Sequence, residues 1–140
     1  MNKRSIGAAL CALALTAAPV FAQSPNTDTT RVYFISPQDG ETVSSPVTVR
    51  FGLSGMGVAP AGMPKDKTGH HHLLIDVNEL PDLSMPLPSD ENHRHFGGGQ
   101  TEVTLELAPG KHTLQLLLGD LAHVPHDPPV MSEKITIEVK

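Results

Sequence analysis

Short stretches in which apolar and polar residues alternate are the feature that most limits how this chain can fold. In one of them, Val47, Val49, Phe51 and Leu53 are each separated by one other residue. The same spacing returns three times between residue 103 and the end of the chain. A period of two places the apolar side chains on one face of a β-strand. Because no segment keeps a helical period, the sequence predicts an all-β protein.

Long connections rich in proline and glycine separate these stretches. Pro60 and Pro64 exclude a helix from the connection at residues 54–69. We place strands at residues 31–36, 46–53, 70–77, 101–107, 111–118 and 133–139. Six to seven short strands with long loops favour an immunoglobulin-like antiparallel β-sandwich, forming a single domain over residues 31–140. The alternative is another Greek-key or jelly-roll arrangement.

The first 22 residues have the pattern of a secretory signal peptide. Two basic residues precede an apolar stretch at residues 6–20, and Ala22 ends a small-residue cleavage site. The apolar stretch is short for a membrane span. Residues 23–30 are polar, and we expect them to form a flexible leader. We therefore expect a periplasmic or secreted protein.

Charge and cysteine content argue against several kinds of partner and chemistry. The formal net charge is −5, whereas nucleic-acid binding needs clustered Lys and Arg. The single cysteine, Cys11, lies in the predicted signal peptide and follows Leu10 rather than a small residue, so we expect no membrane anchor. After cleavage no thiol would remain for a disulfide, a nucleophile or a cysteine metal site. No pattern in the sequence indicates a protein partner.

Seven of the eight histidines fall in three clusters: His70 to His72, His93 with His95, and His123 with His126. An immunoglobulin-like sandwich brings the corresponding three loops to one end. Neutral imidazole is a good ligand for copper and zinc, and alternation puts His70 and His72 on the same side of their strand. The sequence therefore predicts a copper or zinc site at one end of the sandwich. Its expected ligands are His70, His72, His95, His123 and His126, with His93 as a further candidate.

We expect residues near these clusters to support the site. Glu102, Asp120 and Asp127 are close in sequence to the histidines and are expected to orient the rings or to ligate the ion. Met56 and Met63 would add thioethers, which favour Cu(I), although packing within their loop is the simpler role.

His112 stands apart from the three clusters. It follows Pro109-Gly110-Lys111 and begins the strand at 111–118. In immunoglobulin-like folds a tyrosine near this position often bonds a nearby backbone group at the end opposite the predicted site. We therefore assign His112 a structural role.

Three functions are compatible with this pattern. The first is a non-catalytic metal-binding module, a carrier or sensor, with the metal ion as its partner. The second is a metal-dependent enzyme, hydrolytic or similar to superoxide dismutase, which would need an open coordination position. The third is a structural or adhesion module whose histidines form a satisfied polar network between loops. No Gly-X-Ser-X-Gly motif suggests a serine nucleophile.

Three blocks of the sequence together resemble a known family. They are Gly69-His70-His71-His72-Leu73-Leu74-Ile75-Asp76, His95-Phe96-Gly97-Gly98-Gly99-Gln100-Thr101-Glu102 and Leu118-Gly119-Asp120-Leu121-Ala122-His123-Val124-Pro125-His126. The family is an exported bacterial one catalogued as domain of unknown function 4399. This resemblance implies export but no activity.

Overall fold

A computed structural model describes residues 21–25 and 29–140. The strands of this part are β1 (Arg31–Ser36), β2 (Thr42–Val43), β3 (Val47–Ser54), β4 (Gly57–Val58), β5 (Thr68–Ile75), β6 (His93–His95), β7 (Glu102–Leu105), β8 (Gly110–Gly119) and β9 (Ile135–Val139). No helix among the described residues is long and apolar enough to cross a membrane.

The strands form two sheets. The first has the order β1-β3-β7, and the second has the order β2-β9-β8-β5-β4, with β6 also paired to β5. This is the division into two packed sheets that the immunoglobulin-like fold predicts, so the all-β sandwich is confirmed. The long strand pairs are antiparallel, but the two-residue strands β2 and β4 pair in parallel with β9 and β5.

The core lies between the sheets and uses alternate residues of each strand. The first sheet contributes Val49 and Phe51, and the second contributes Leu73, Leu116 and Ile137. None of these five side chains is more than 1% exposed. Burying each such side chain is worth about 1.5–3 kcal/mol before the entropy of ordering it is subtracted. The alternating pattern of the sequence therefore identifies the side chains that pack between the two sheets.

The strand β5 is covered on both faces. Leu73 points into the core, whereas the neighbouring Leu74 is equally buried but does not belong to the core cluster. The same holds for Leu117 on β8, and Leu87 and Val124 from the long loops are also buried outside that cluster. These two loops therefore form a second, smaller layer over the outer face of the second sheet. This layer helps to cover the histidines.

Gln23 and Ser24 pack on the same layer. The side-chain amide of Gln23 donates to the carbonyl oxygens of Leu83 and Pro125 at 2.9 and 3.2 Å. Ser24 accepts a backbone hydrogen bond from Asp127. These contacts anchor the start of the stretch predicted to be a flexible leader. The signal peptide predicted at residues 1–22 lies, apart from its last two residues, outside the described part of the chain.

His112 lies at the start of β8 and holds a corner there. Its Nδ1 is 2.7 Å from Oδ2 of Asp76, and its Nε2 is 2.8 Å from the carbonyl oxygen of Ala108. Asp76 has a positive φ of 57° and also accepts the N–H of Thr113 at 2.9 Å. Burial by itself lowers the pKa of His112, but the hydrogen bonds to Asp76 and Ala108 outweigh it and raise the pKa.

Replacing His112 with alanine will lower the free energy of unfolding by about 1–3 kcal/mol, because Asp76 and Ala108 both lose a hydrogen-bond donor. Urea denaturation of the wild type and the variant at pH 6 measures the change. The stoichiometry of any bound metal should stay the same. Loss of metal binding in a folded His112→Ala protein would contradict the assignment of His112 to a corner remote from the histidine clusters.

Candidate metal centre

Four histidines, one or two from each of the three clusters, meet in one place. They are His70, His72, His95 and His123, and each offers a ring nitrogen that lies within 4.8 Å of the other three. The ring centroids of His95 and His123 are 4.6 Å apart, and those of His70 and His72 are 4.8 Å apart. An arrangement of this kind is compatible with a metal site.

Strand pairing explains how residues distant in sequence reach one point. His70 and His72 alternate on β5 and so share its outer face. His95 lies on β6, directly opposite His72 in the antiparallel pairing of the two strands. His123 follows the end of β8, where Gly119 is paired with His70. The group therefore lies at the end of the sheet where β8 gives way to its loop, on the outer face.

Asp120 shapes the turn that carries His123. Its Oδ1 accepts the backbone N–H groups of Ala122 and Val124 at 2.8 and 3.0 Å, and its Oδ2 accepts the hydroxyl of Ser24 at 2.9 Å. Within this turn His123 has a φ of 67°, a conformation that is strained for a residue with a side chain. The carboxylate of Asp120 thus acts on the backbone around His123, and its negative charge opposes the loss of basicity at His70.

The ring nitrogens of the histidines lie so close together that hydrogen bonds between the rings cannot satisfy all of them. Nε2 of His70 lies 3.0 Å from Nδ1 of His123 and 3.1 Å from Nε2 of His72. A neutral ring nitrogen carries either one hydrogen or one lone pair in the ring plane, so it serves one such partner well and not two. In addition, Nδ1 of His70 and Nδ1 of His72 are buried and have no hydrogen-bond partner among the described residues.

The surroundings keep the buried rings neutral. Burial, followed by the nearby rings of His123 and His95, lowers the pKa of His70 to about 4. Burial, followed by the rings of His70 and His95, lowers the pKa of His72 to about 2. The pKa of His95 is also lowered, by burial and by His123. At neutral pH these rings therefore have free lone pairs, which is the form that binds metal.

His93 and His126, two other histidines expected in the site, are placed elsewhere. Nδ1 of His93 is 2.9 Å from Oδ1 of Asp90, so this ring is tied to its own loop. His126 is 1% exposed, and neither of its ring nitrogens has a hydrogen-bond partner in the described part of the chain. It lines a separate cavity of about 390 Å³ together with Met56 and Met63.

Two of the three acidic residues expected near the rings also bond elsewhere. Glu102 accepts a hydrogen bond from Nε of Arg50 at 3.0 Å, on the first sheet. Asp127 is exposed and uses its backbone N–H to bind Ser24. Asp120 is therefore the one of the three that contacts the loop of the histidine group.

His71 takes the inward position that alternation predicts. Its ring packs on Phe51 with centroids 4.8 Å apart, and the side chain is fully buried. Burial lowers the pKa of His71 to about 4. Burial disfavours the charged form of this ring. Its place follows from alternation, which puts His71 on the same face of β5 as Leu73.

Comparison with known proteins places the chain in a family but adds no activity. No curated protein and no solved structure matches it significantly. A family described as "Domain of unknown function (DUF4399)" matches residues 49–140, which include all four histidines of the group. The match confirms the resemblance noted from the three sequence blocks. The chain belongs to this DUF4399 family.

Proposed function

We propose that the protein is a non-catalytic metal-binding module that holds one copper or zinc ion with His70, His72, His95 and His123. The observation that carries this proposal is the crowding at Nε2 of His70, which has two ring nitrogens within 3.1 Å. A proton can bridge only one of these pairs, whereas a cation at the centre accepts lone pairs from all the rings. The alternative of a satisfied polar network is disfavoured by the unpartnered Nδ1 atoms of His70 and His72.

The donor set supports divalent copper or zinc. All four candidate ligands are imidazoles, and this nitrogen donor suits Zn(II) and Cu(II). The thioethers of Met56 and Met63, which would favour Cu(I), line a different cavity. Four protein ligands close a zinc site, whereas catalytic zinc sites keep one position open for water or substrate. This favours storage, transfer or sensing of the ion over metal-dependent catalysis.

We also propose that the protein works in the periplasm or outside the cell. The support is the signal-peptide pattern of residues 1–22. A histidine-only site has no thiolate to lose by oxidation in such a compartment.

The untagged protein will bind one equivalent of Cu(II) or Zn(II) per chain, and His95→Ala will weaken binding at least about tenfold. His93→Ala is the matched control, because His93 lies on the same short strand but is bonded to Asp90. Calorimetric titration gives both quantities, and elemental analysis of the dialysed protein gives the stoichiometry. Absence of binding by the wild type, or equal losses in the two variants, would refute the proposed site.

A further inference from the structure

Two glycines lie against the rings of the histidine group. A Cβ atom built on Gly119 would be 2.8 Å from Nε2 and 3.1 Å from Cδ2 of His72. A Cβ atom built on Gly97 would be 2.4 Å from Cε1 and 2.5 Å from Nε2 of His95. Carbon atoms do not approach ring atoms this closely without a shift, so neither position accepts a side chain while the rings stay in place.

Both positions require a glycine because a side chain would not fit, and not because the backbone has an unusual conformation. The glycines with positive φ are Gly40, Gly55, Gly62, Gly99 and Gly110 in the described residues. Gly97 and Gly119 are not among them. Alanine could therefore adopt the backbone conformation of either position. The obstacle to its methyl group would be the close contact with the neighbouring histidine ring.

The backbone at each glycine is fixed, so the ring has to move instead. The carbonyl of Gly97 accepts the N–H of Ala61 at 2.9 Å, and Ala61 also lies 3.4 Å from the built Cβ atom. Gly119 is paired with His70 across the sheet and forms an isolated bridge with Pro125. His95 lies nearer the surface and can swing outwards, whereas His72 is 1% exposed and can move only if the side chains around it shift as well.

We propose that Gly97 and Gly119 are positioning residues of the metal site: they leave the space in which His95 and His72 present their nitrogens to the ion. This inference rests on the proposed metal-binding function. It assigns to the glycines a role that neither a turn nor a flexible loop would require. Each glycine acts through one named ring, and this makes the role separable from general effects on folding.

The test is a double-mutant cycle on Gly97 and His95, read out as Cu(II) affinity and as the Cu(II) electron paramagnetic resonance spectrum. Gly97→Ala should weaken binding by about the same factor as His95→Ala, on the order of 10- to 100-fold. The double variant should bind no more weakly than either single variant, because the methyl group has no ring left to displace. Its spectrum should show the same reduced nitrogen coordination as both single variants.

Gly57→Ala is the matched control, since its built Cβ atom would lie 3.5 Å from the nearest atom, an ordinary contact. It should leave affinity and spectrum unchanged. Gly119→Ala should weaken binding at least as strongly as Gly97→Ala, and thermal unfolding of the metal-free form shows whether it still folds.

The possible outcomes distinguish a failure of the proposed function from a failure of the positioning role. If the wild type binds no ion, the proposed function fails. If the wild type binds and Gly97→Ala binds equally well, the function stands and the positioning role is wrong. If the losses of Gly97→Ala and His95→Ala add in the double variant, Gly97 acts on something other than His95, which also overturns the inference.

Discussion

The metal-free protein will lose stability steeply as the pH falls from 6.5 to 4. Burial holds the pKa of His70 and His71 at about 4 and that of His72 at about 2 in the folded state. In the unfolded chain these groups titrate near 6.5. Between those values the unfolded state binds protons that the folded state excludes. The free energy of unfolding therefore rises with pH in this window and falls as acid is added.

The expected size of this effect is large. One group contributes about 1.4 kcal/mol per pH unit once the pH is well below its unfolded pKa. Three groups acting in the same direction remove on the order of 5 kcal/mol or more by pH 4, which is comparable with the whole stability of a typical domain. His95, whose pKa is also lowered, adds to the loss.

His112 works in the opposite direction, because its pKa is raised in the folded state. Its contribution is complete below the unfolded pKa near 6.5 and disappears as the pH rises through the folded value. Between pH 6.5 and 4 this contribution is already present, so it does not offset the loss caused by the three buried histidines. The net slope between pH 6.5 and 4 should therefore remain positive.

Urea denaturation at half-unit steps of pH, in the presence of a chelator, measures this slope. Saturation with Zn(II) should shift the loss to lower pH, since a bound ion stabilises the folded state and holds the imidazoles unprotonated. Metal-free protein with equal stability at pH 7 and pH 4.5 would show that the buried rings are protonated in the folded state. That result would contradict their burial.

Strands with one buried face were predictable from sequence. Alternation located β3 to within one residue at each end, because every second side chain of this strand packs in the core. It located β8 equally well from Leu114, Leu116 and Leu118, although the second half of that strand is buried on both faces. The two-residue strands β2 and β4 are too short to show any period. β5 was found from its apolar run, but the covering of its outer face by two long loops has no signature in β5 itself.

The sequence predicted which histidines come together only where strand order and alternation determine their positions. Alternation gave the shared face of His70 and His72. The sequence placed His95 in a loop at the end of the sandwich, whereas it reaches the group on β6, a short strand paired with β5. What decides between His123 and His126 is a turn held by the carboxylate of Asp120. That turn depends on side-chain hydrogen bonds to individual backbone groups, for which spacing alone gives no rule.

His72→Leu will abolish tight metal binding and leave the metal-free protein at pH 7 as stable as the wild type or more stable by about 1–2 kcal/mol. Nδ1 of His72 has no partner among the described residues, and its Nε2 competes with His123 for the single position on Nε2 of His70. Leucine has a similar volume and needs no hydrogen bond. After the change, His70 and His123 can form one unshared hydrogen bond.

The matched change His112→Leu should have the reverse result, because both nitrogens of His112 are partnered and its loss leaves Asp76 and Ala108 without their donor. Chemical denaturation of the two variants, each with its metal removed, gives the comparison, and calorimetry with Cu(II) gives the affinities. His72→Leu should also reduce the dependence of stability on pH by the contribution of one proton. If His72→Leu instead destabilises the metal-free protein by 2 kcal/mol or more, roughly the cost of breaking a satisfied buried hydrogen bond, the four rings form a self-sufficient network. The case for a cation at their centre then loses its main support.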